Sequence, residues 1–163
     1  MLKHIFALAA LSLTLATPAV AQNAGHISKA KAGQSCAGCN LFQANMAYRD
    51  ISGTDLSKSR LRQSDLSLTT LEGVNLSGSD LSIANLFGAR LNRCNLTGAD
   101  LKNAAAVGTY FGSSNLSGAD LKGANLSGAN LSLASGLTQS QLNKACGDAT
   151  TRLPTGLRIP RCR

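Results

Sequence analysis

Tryptophan is absent from this chain and aromatic residues make up only 4% of it, so a core built from large rings is excluded. Histidine occurs only at His4 and His26, which leaves no Ser-His-Asp constellation beyond His26 and no four-ligand zinc set. Phosphate-binding glycine loops, and the strand and helix alternation that holds them, are missing too. Acidic residues number 8 against 16 basic ones. A single long apolar run exists, and it lies at the amino terminus.

That run belongs to "MLKHIFALAALSLTLATPAVAQ". Lys3 and His4 precede an apolar stretch from Ile5 to Ala16, and "AVA" at Ala19 to Ala21 follows Pro18. This layout predicts a secretory signal peptide over residues 1–21, cleaved after Ala21. The stretch is short for a retained membrane helix. Export would place the mature chain in the periplasm or outside the cell. It would also remove Lys3, leaving 15 basic against 8 acidic residues, formally +7. The excess is concentrated at the carboxyl end, where Lys144, Arg152, Arg158, Arg161 and Arg163 face Asp148 alone. Such a tail can make peripheral contact with an anionic lipid, cell-wall polymer or nucleic acid, but charge that keeps an exported protein soluble is the simpler account. No nucleic-acid partner is expected.

What the chain does have is a register. Stepping by five from Leu41 to Leu131 gives 19 positions, all apolar, of which 15 are Leu. The residue two before each is small everywhere except Arg49, the residue between is usually Asp or Asn, and Gly often sits two after. A fixed short period dictates a stacked architecture. Neither helical periodicity nor strict alternation fits this one.

Runs such as "GADLKGANLSGAN" resemble the pentapeptide-repeat family. The resemblance implies an all-β fold, a right-handed quadrilateral β-helix in which four pentads make one square coil. Residues 20 apart would then stack at about 4.8 Å, so the repeats would form four to five coils. The inward residues would include Leu61, Leu81, Leu86, Leu91, Leu96, Leu101, Phe111 and Leu121. Ala106 is undersized and Phe111, the next central residue, is oversized, so one refills volume lost by the other.

Stacking by 20 sorts the outward residues into columns. Asp80, Asp100 and Asp120, with Lys102 and Lys122, form a mixed-sign ladder on the first side, read as solubility and register. On the fourth side Asn75, Asn95 and Asn115 stack beside Ser77, Thr97 and Ser117, a flat uncharged lattice that a repeating glycan or ordered crystal could match. Asn ladders also hydrogen-bond along a stack for purely structural reasons, the simpler reading. Matches to N-x-[ST], as at Asn95, are by-products of the period.

Five cysteines remain. Cys146 and Cys162 flank a short segment beyond the repeats and are candidates to pair; Cys36 and Cys39, in "CAGC", are candidates for a local pair, and Cys94 is read as a buried free thiol. Haem attachment needs His where Asn40 stands. No metal or other cofactor is expected. Past Leu133, Thr138 and Gln141 form a capping-box pattern that predicts a short helix from about Gln139 to Cys146, covering the open end of the coil. The expected organisation is therefore a signal peptide (1–21), a flexible linker (22–38), the β-helix (39–135), and a helix with an extended basic tail (136–163). The expected function is a non-enzymatic exported scaffold in the cell envelope that binds another protein. Some members of the family mimic DNA and shield gyrase, but those are acidic cytoplasmic rods, and this chain departs in both respects.

Overall fold

The computed structural model describes residues 22–163, so the signal peptide expected over 1–21 lies outside the described residues. From Asn40 onward the chain winds as a four-sided solenoid. The residue preceding each central apolar residue pairs in parallel with its equivalent 20 positions on, as Asn40 with Arg60, Arg60 with Asp80 and Asp80 with Asp100. Each side contributes one bridging residue rather than an extended strand, because two of every five residues are spent on the corner. Leu61 N–H donates to the Asp80 carbonyl at 2.7 Å and Arg60 N–H donates to that of Cys39 at 2.8 Å, so each side inside the rod is bonded to the coils on both its flanks.

The pentad's chemistry makes the corner. Ser64 N–H donates to the Leu61 carbonyl at 3.0 Å across a turn, and the residue two after the central one has positive φ, 58° at Gln63 and 69° at Gly53. Positive φ there is the signature of a type II turn, which explains the recurring Gly. The same conformation is imposed on Leu68 and Ile83 (φ 55° and 59°), where the ladder holds a residue that would otherwise avoid it. The Asp or Asn before the central residue closes an Asx turn onto the N–H two residues on, as Asp65 to Ser67 at 3.0 Å.

Every central residue from Leu41 to Leu131 is buried, and so is every small residue two before it except exposed Arg49. Buried hydroxyls in the small column donate to carbonyls: Thr69 to Met46 at 2.8 Å, Thr109 to Leu86 at 2.7 Å, and Ser114 to Leu91. Ser64 Oγ alone has no partner among the described buried side-chain atoms. Stacked Leu residues, each contributing roughly 1.5–3 kcal/mol, replace the missing aromatic core.

Both ends differ from expectation. The segment expected as a flexible linker contains α1, Ala24–Lys31. Asn23 caps it by accepting from His26 N–H at 3.0 Å, and Gly33 (φ 68°) ends it, with Gly33 N–H donating to Ala30 and Gln34 N–H to Lys29 in a Schellman pattern. Only Ile27 and Ala30 face the core, too little periodicity to mark a helix in sequence. The helix brings His26 Nδ1 to within 3.0 Å of Asn40 N–H, which it accepts. One coil on, the equivalent N–H of Arg60 donates to the Cys39 carbonyl; for Asn40 the His26 imidazole takes that place, so His26 is an end cap.

At the other end, α2 spans only Gln139–Leu142, shorter than expected because the chain must rejoin the ladder at once. Beyond it the tail is not merely laid alongside. Cys146 pairs in parallel with Asn125, and Arg152 with Asn130, at offsets of 21 and 22, and Gly147 pairs with Arg161. Residues 136–163 thus build a closing coil without the pentad sequence. Gly136 starts it, with φ 73° and so close to Ser117 that a Cβ would lie 2.6 Å from the Ser117 nitrogen.

Candidate functional site

The four sides present different chemistry. On the first, Lys102 Nζ sits 2.9 Å from Asp100 and 3.3 Å from Asp120, tying adjacent coils. Hydrogen bonding to those carboxylates raises the Lys102 pKa, and the Lys122 backbone N–H holds Asp120 down. These are exposed pairs of small energetic consequence. They are occupied with one another, and no acid and base stand poised for proton transfer.

On the fourth side the structure does align Asn75, Asn95 and Asn115 in successive bridges. Their side-chain oxygens, however, accept the N–H groups of Ser77, Thr97 and Ser117 at 3.2, 3.1 and 3.0 Å, and Ser117 Oγ donates back to Asn115 at 2.6 Å. Asn75 also donates to Asp55 at 3.2 Å. Much of this lattice's polarity is therefore spent within its own turns.

The corner between the second and third sides escaped the sequence reading. There Tyr48 is 78% exposed, Phe87 51%, Tyr110 48% and Leu68 43%, four of the six large apolar side chains that stand exposed on the described surface. Tyr48 and Leu68 occupy the same corner position one coil apart, Phe87 the position beside it a coil later, and Tyr110 the bridging position on the next side, paired with Arg90. The stripe thus runs along four successive coils. Its signal was present in the columns, since the positions after the second side's central residue include Tyr48, Leu68, Phe87 and Val107 where the fourth side holds Ser, Thr, Gly and Lys58.

Two recesses lie at the closing coil. One, of about 250 Å³, lies between Asp120, Gln141 and Lys144. The other, of about 390 Å³, is lined by Ser127, Gly147, Asp148 and Arg161. In the first, Gln141 is fully engaged: its Nε2 donates to the Leu116 and Ala119 carbonyls, both at 2.9 Å, while its Oε1 accepts Thr138 N–H at 2.8 Å in the capping box. In the second, Asp148 accepts from Gly128 N–H, Thr150 N–H and Thr150 Oγ1, the last the largest of the causes that lower its pKa to about 2. Both recesses are knit by structural hydrogen bonds. Among the described residues no three His, Cys, Asp or Glu side chains gather where they could hold a metal ion.

Cys146 and Cys162 stand at disulfide distance, as do Cys36 and Cys39. Cys36 occupies a central position and Cys39 the small one that follows, so this bond spans the first corner of the solenoid. Cys94 is free and buried; burial pushes its thiol up to about 12, far from a reactive thiolate.

The family model described as Pentapeptide repeats matches residues 39–78, 79–117 and 94–132. No curated protein matches the chain. Among solved structures, the pentapeptide repeat protein Rfr23 from the cyanobacterium Cyanothece 51142 is 26% identical, with 79% of this chain and 97% of that chain covered and a TM-score of 0.58. The pentapeptide repeat protein alr5209 from Nostoc Pcc 7120 is 28% identical, covering 84% and 88%, with a TM-score of 0.47. QnrB1, a plasmid-mediated fluoroquinolone resistance protein, is 18% identical over 78% and 89%, with a TM-score of 0.45. The repeat match covers more than half of the sequence, in the register that the coils display, and the chain belongs to the pentapeptide-repeat family.

Proposed function

We propose that this protein is an exported, non-enzymatic scaffold of the cell envelope, and that the stripe of Tyr48, Leu68, Phe87 and Tyr110 is where it docks another envelope protein. The observation that carries this reading is the stripe itself. Four of the six large apolar side chains exposed among the described residues gather along one edge of the rod and mark an interaction surface, whereas the same residues scattered singly would mean nothing. Tyr is suited to such contacts because it offers wide apolar area with a polar tip. Two cysteine pairs at disulfide distance support an oxidising compartment, and with it the periplasmic or secreted location expected from residues 1–21.

The test is photo-crosslinking in cells, with the crosslinker placed at Tyr48 or Phe87 and, for comparison, at Asn95 or Asn115. Crosslinks to one envelope protein from the first pair of sites and none from the second are expected. Their absence at Tyr48 and Phe87 overturns the docking role. The alternative, binding of a repeating glycan by the flat fourth side, rests on the aligned Asn column. Retention on cell-wall glycan that disappears in Asn95→Lys/Asn115→Lys would establish it instead.

A further inference from the structure

We infer that the closing coil is a docking surface for an anionic membrane, so that the rod meets a bilayer with its carboxyl-terminal end. The repeats between Asn40 and Ser135 hold 8 basic and 7 acidic residues, nearly balanced. The closing segment holds Lys144, Arg152, Arg158, Arg161 and Arg163 against Asp148. All five cations are exposed, and none of the four arginines makes an ion pair among the described residues. Asp148 is occupied by hydroxyl and N–H donors, not by a guanidinium.

The backbone that carries three of these cations is fixed in place. Arg152 is held by its bridge to Asn130, Arg161 by its bridge to Gly147, and Arg158 by backbone bonds to and from Gln139 at 3.1 and 2.9 Å. The Cys146–Cys162 pair locks the strap that carries them. Leu133, 70% exposed at the last corner before the closing coil, adds an apolar side chain at the same end. A concentration of exposed cations at one end of the rod has the chemistry of a peripheral membrane contact, in which each cation strengthens attraction to anionic headgroups, and the exposed leucine beside it can enter the headgroup region. The stripe runs along a different part of the rod, so membrane contact at the end would leave it accessible.

The experiment uses residues 22–163, which contain both end caps, and sedimentation with lipid vesicles. Binding to phosphatidylglycerol-containing vesicles, weakened by salt and absent with pure phosphatidylcholine, is expected. Arg152→Gln/Arg158→Gln/Arg161→Gln should weaken it on the order of a hundredfold, about fivefold per cation, without changing the melting temperature. Should that variant melt early, Lys144→Gln/Arg163→Gln replaces it, with about a 25-fold loss expected. Equal binding to neutral vesicles overturns the proposal. So does an equal loss in the body variant Lys58→Gln/Arg62→Gln/Lys122→Gln, since net charge alone would then suffice. Binding to duplex DNA or to a soluble anionic polymer with no binding to vesicles overturns it as well.

Discussion

The repeat body and the closing coil share one hydrogen-bonded ladder but hold it by different means. In the body each coil is templated by the one before, and the same pentad supplies core, bridge and corner. In the closing coil the offset drifts from 20 to 21 and 22, the pentad is gone, and the pairing continues regardless. A parallel ladder therefore needs matched backbone, not matched sequence. Where side chains no longer repeat, the structure relies on local fasteners: a disulfide, a capping-box glutamine and a buried Leu142. The body should fail globally when broken, and the closing coil piece by piece.

The largest effect expected is in the body. Leu91 is fully buried between Leu71 and Phe111 in its column, and Leu91→Asp would place a carboxylate where no donor awaits it. Nearest-neighbour stacking transmits the defect to the coils on both flanks. The variant should lose its cooperative melt by circular dichroism. If it melts like the wild type, the inward column is misassigned.

This division also explains what the sequence made legible. Burial of the central and small columns could be read directly, because a five-residue period over 19 positions has one physical solution for its large apolar residues. Single contacts could not. His26 capping Asn40 N–H depends on a helix with just Ile27 and Ala30 against the core, and the path of residues 146–162 depends on backbone pairing that leaves no pattern in side chains. The exposed stripe was missed for another reason. Polar regularity on the fourth side repeats from coil to coil and shows as a pattern, whereas the stripe is a departure from pattern, apolar residues at corner positions of the second side and one bridging position of the third.

Next in size is the fastener of the closing coil. The Cys146–Cys162 pair encloses a short loop, with a sequence separation of 16, and on the chain-entropy estimate such a bond contributes about 3 kcal/mol. Cys146→Ser/Cys162→Ser should speed hydrogen exchange across residues 144–163 while residues 60–100 stay protected. Equal loss of protection in both would mean that body and closing coil unfold as one unit, and would dissolve the distinction drawn between them.

Gln141 gives a finer test. Gln141→Glu keeps the capping box, because a carboxylate still accepts Thr138 N–H, but it turns the two donated bonds to the Leu116 and Ala119 carbonyls into repulsive contacts. Losing donors to two carbonyls costs about 1–3 kcal/mol. Gln141→Glu should therefore destabilise α2 even though glutamate is the commoner capping-box residue. If it is neutral by chemical denaturation, α2 is held by Leu142 burial alone.

The smallest effect expected is a pH dependence confined to the closing coil. The Asp148 carboxylate is held down to about 2 from an ordinary value of 3.8, chiefly by the Thr150 hydroxyl, with the Gly128 N–H next. Because the folded value is depressed, the ionised form favours the folded closing coil. That stabilisation is complete above 3.8 and is lost as pH falls through about 2. Asp148 is exposed, so the contribution is small and should be visible only locally. An NMR titration of its carboxyl carbon should give a midpoint near 2, and amide exchange at Gly128 and Thr150 should accelerate through the same window, but not in Asp148→Asn. A midpoint near 3.8 would mean that these donors bond water instead, leaving the disulfide and α2 to hold the end of the rod.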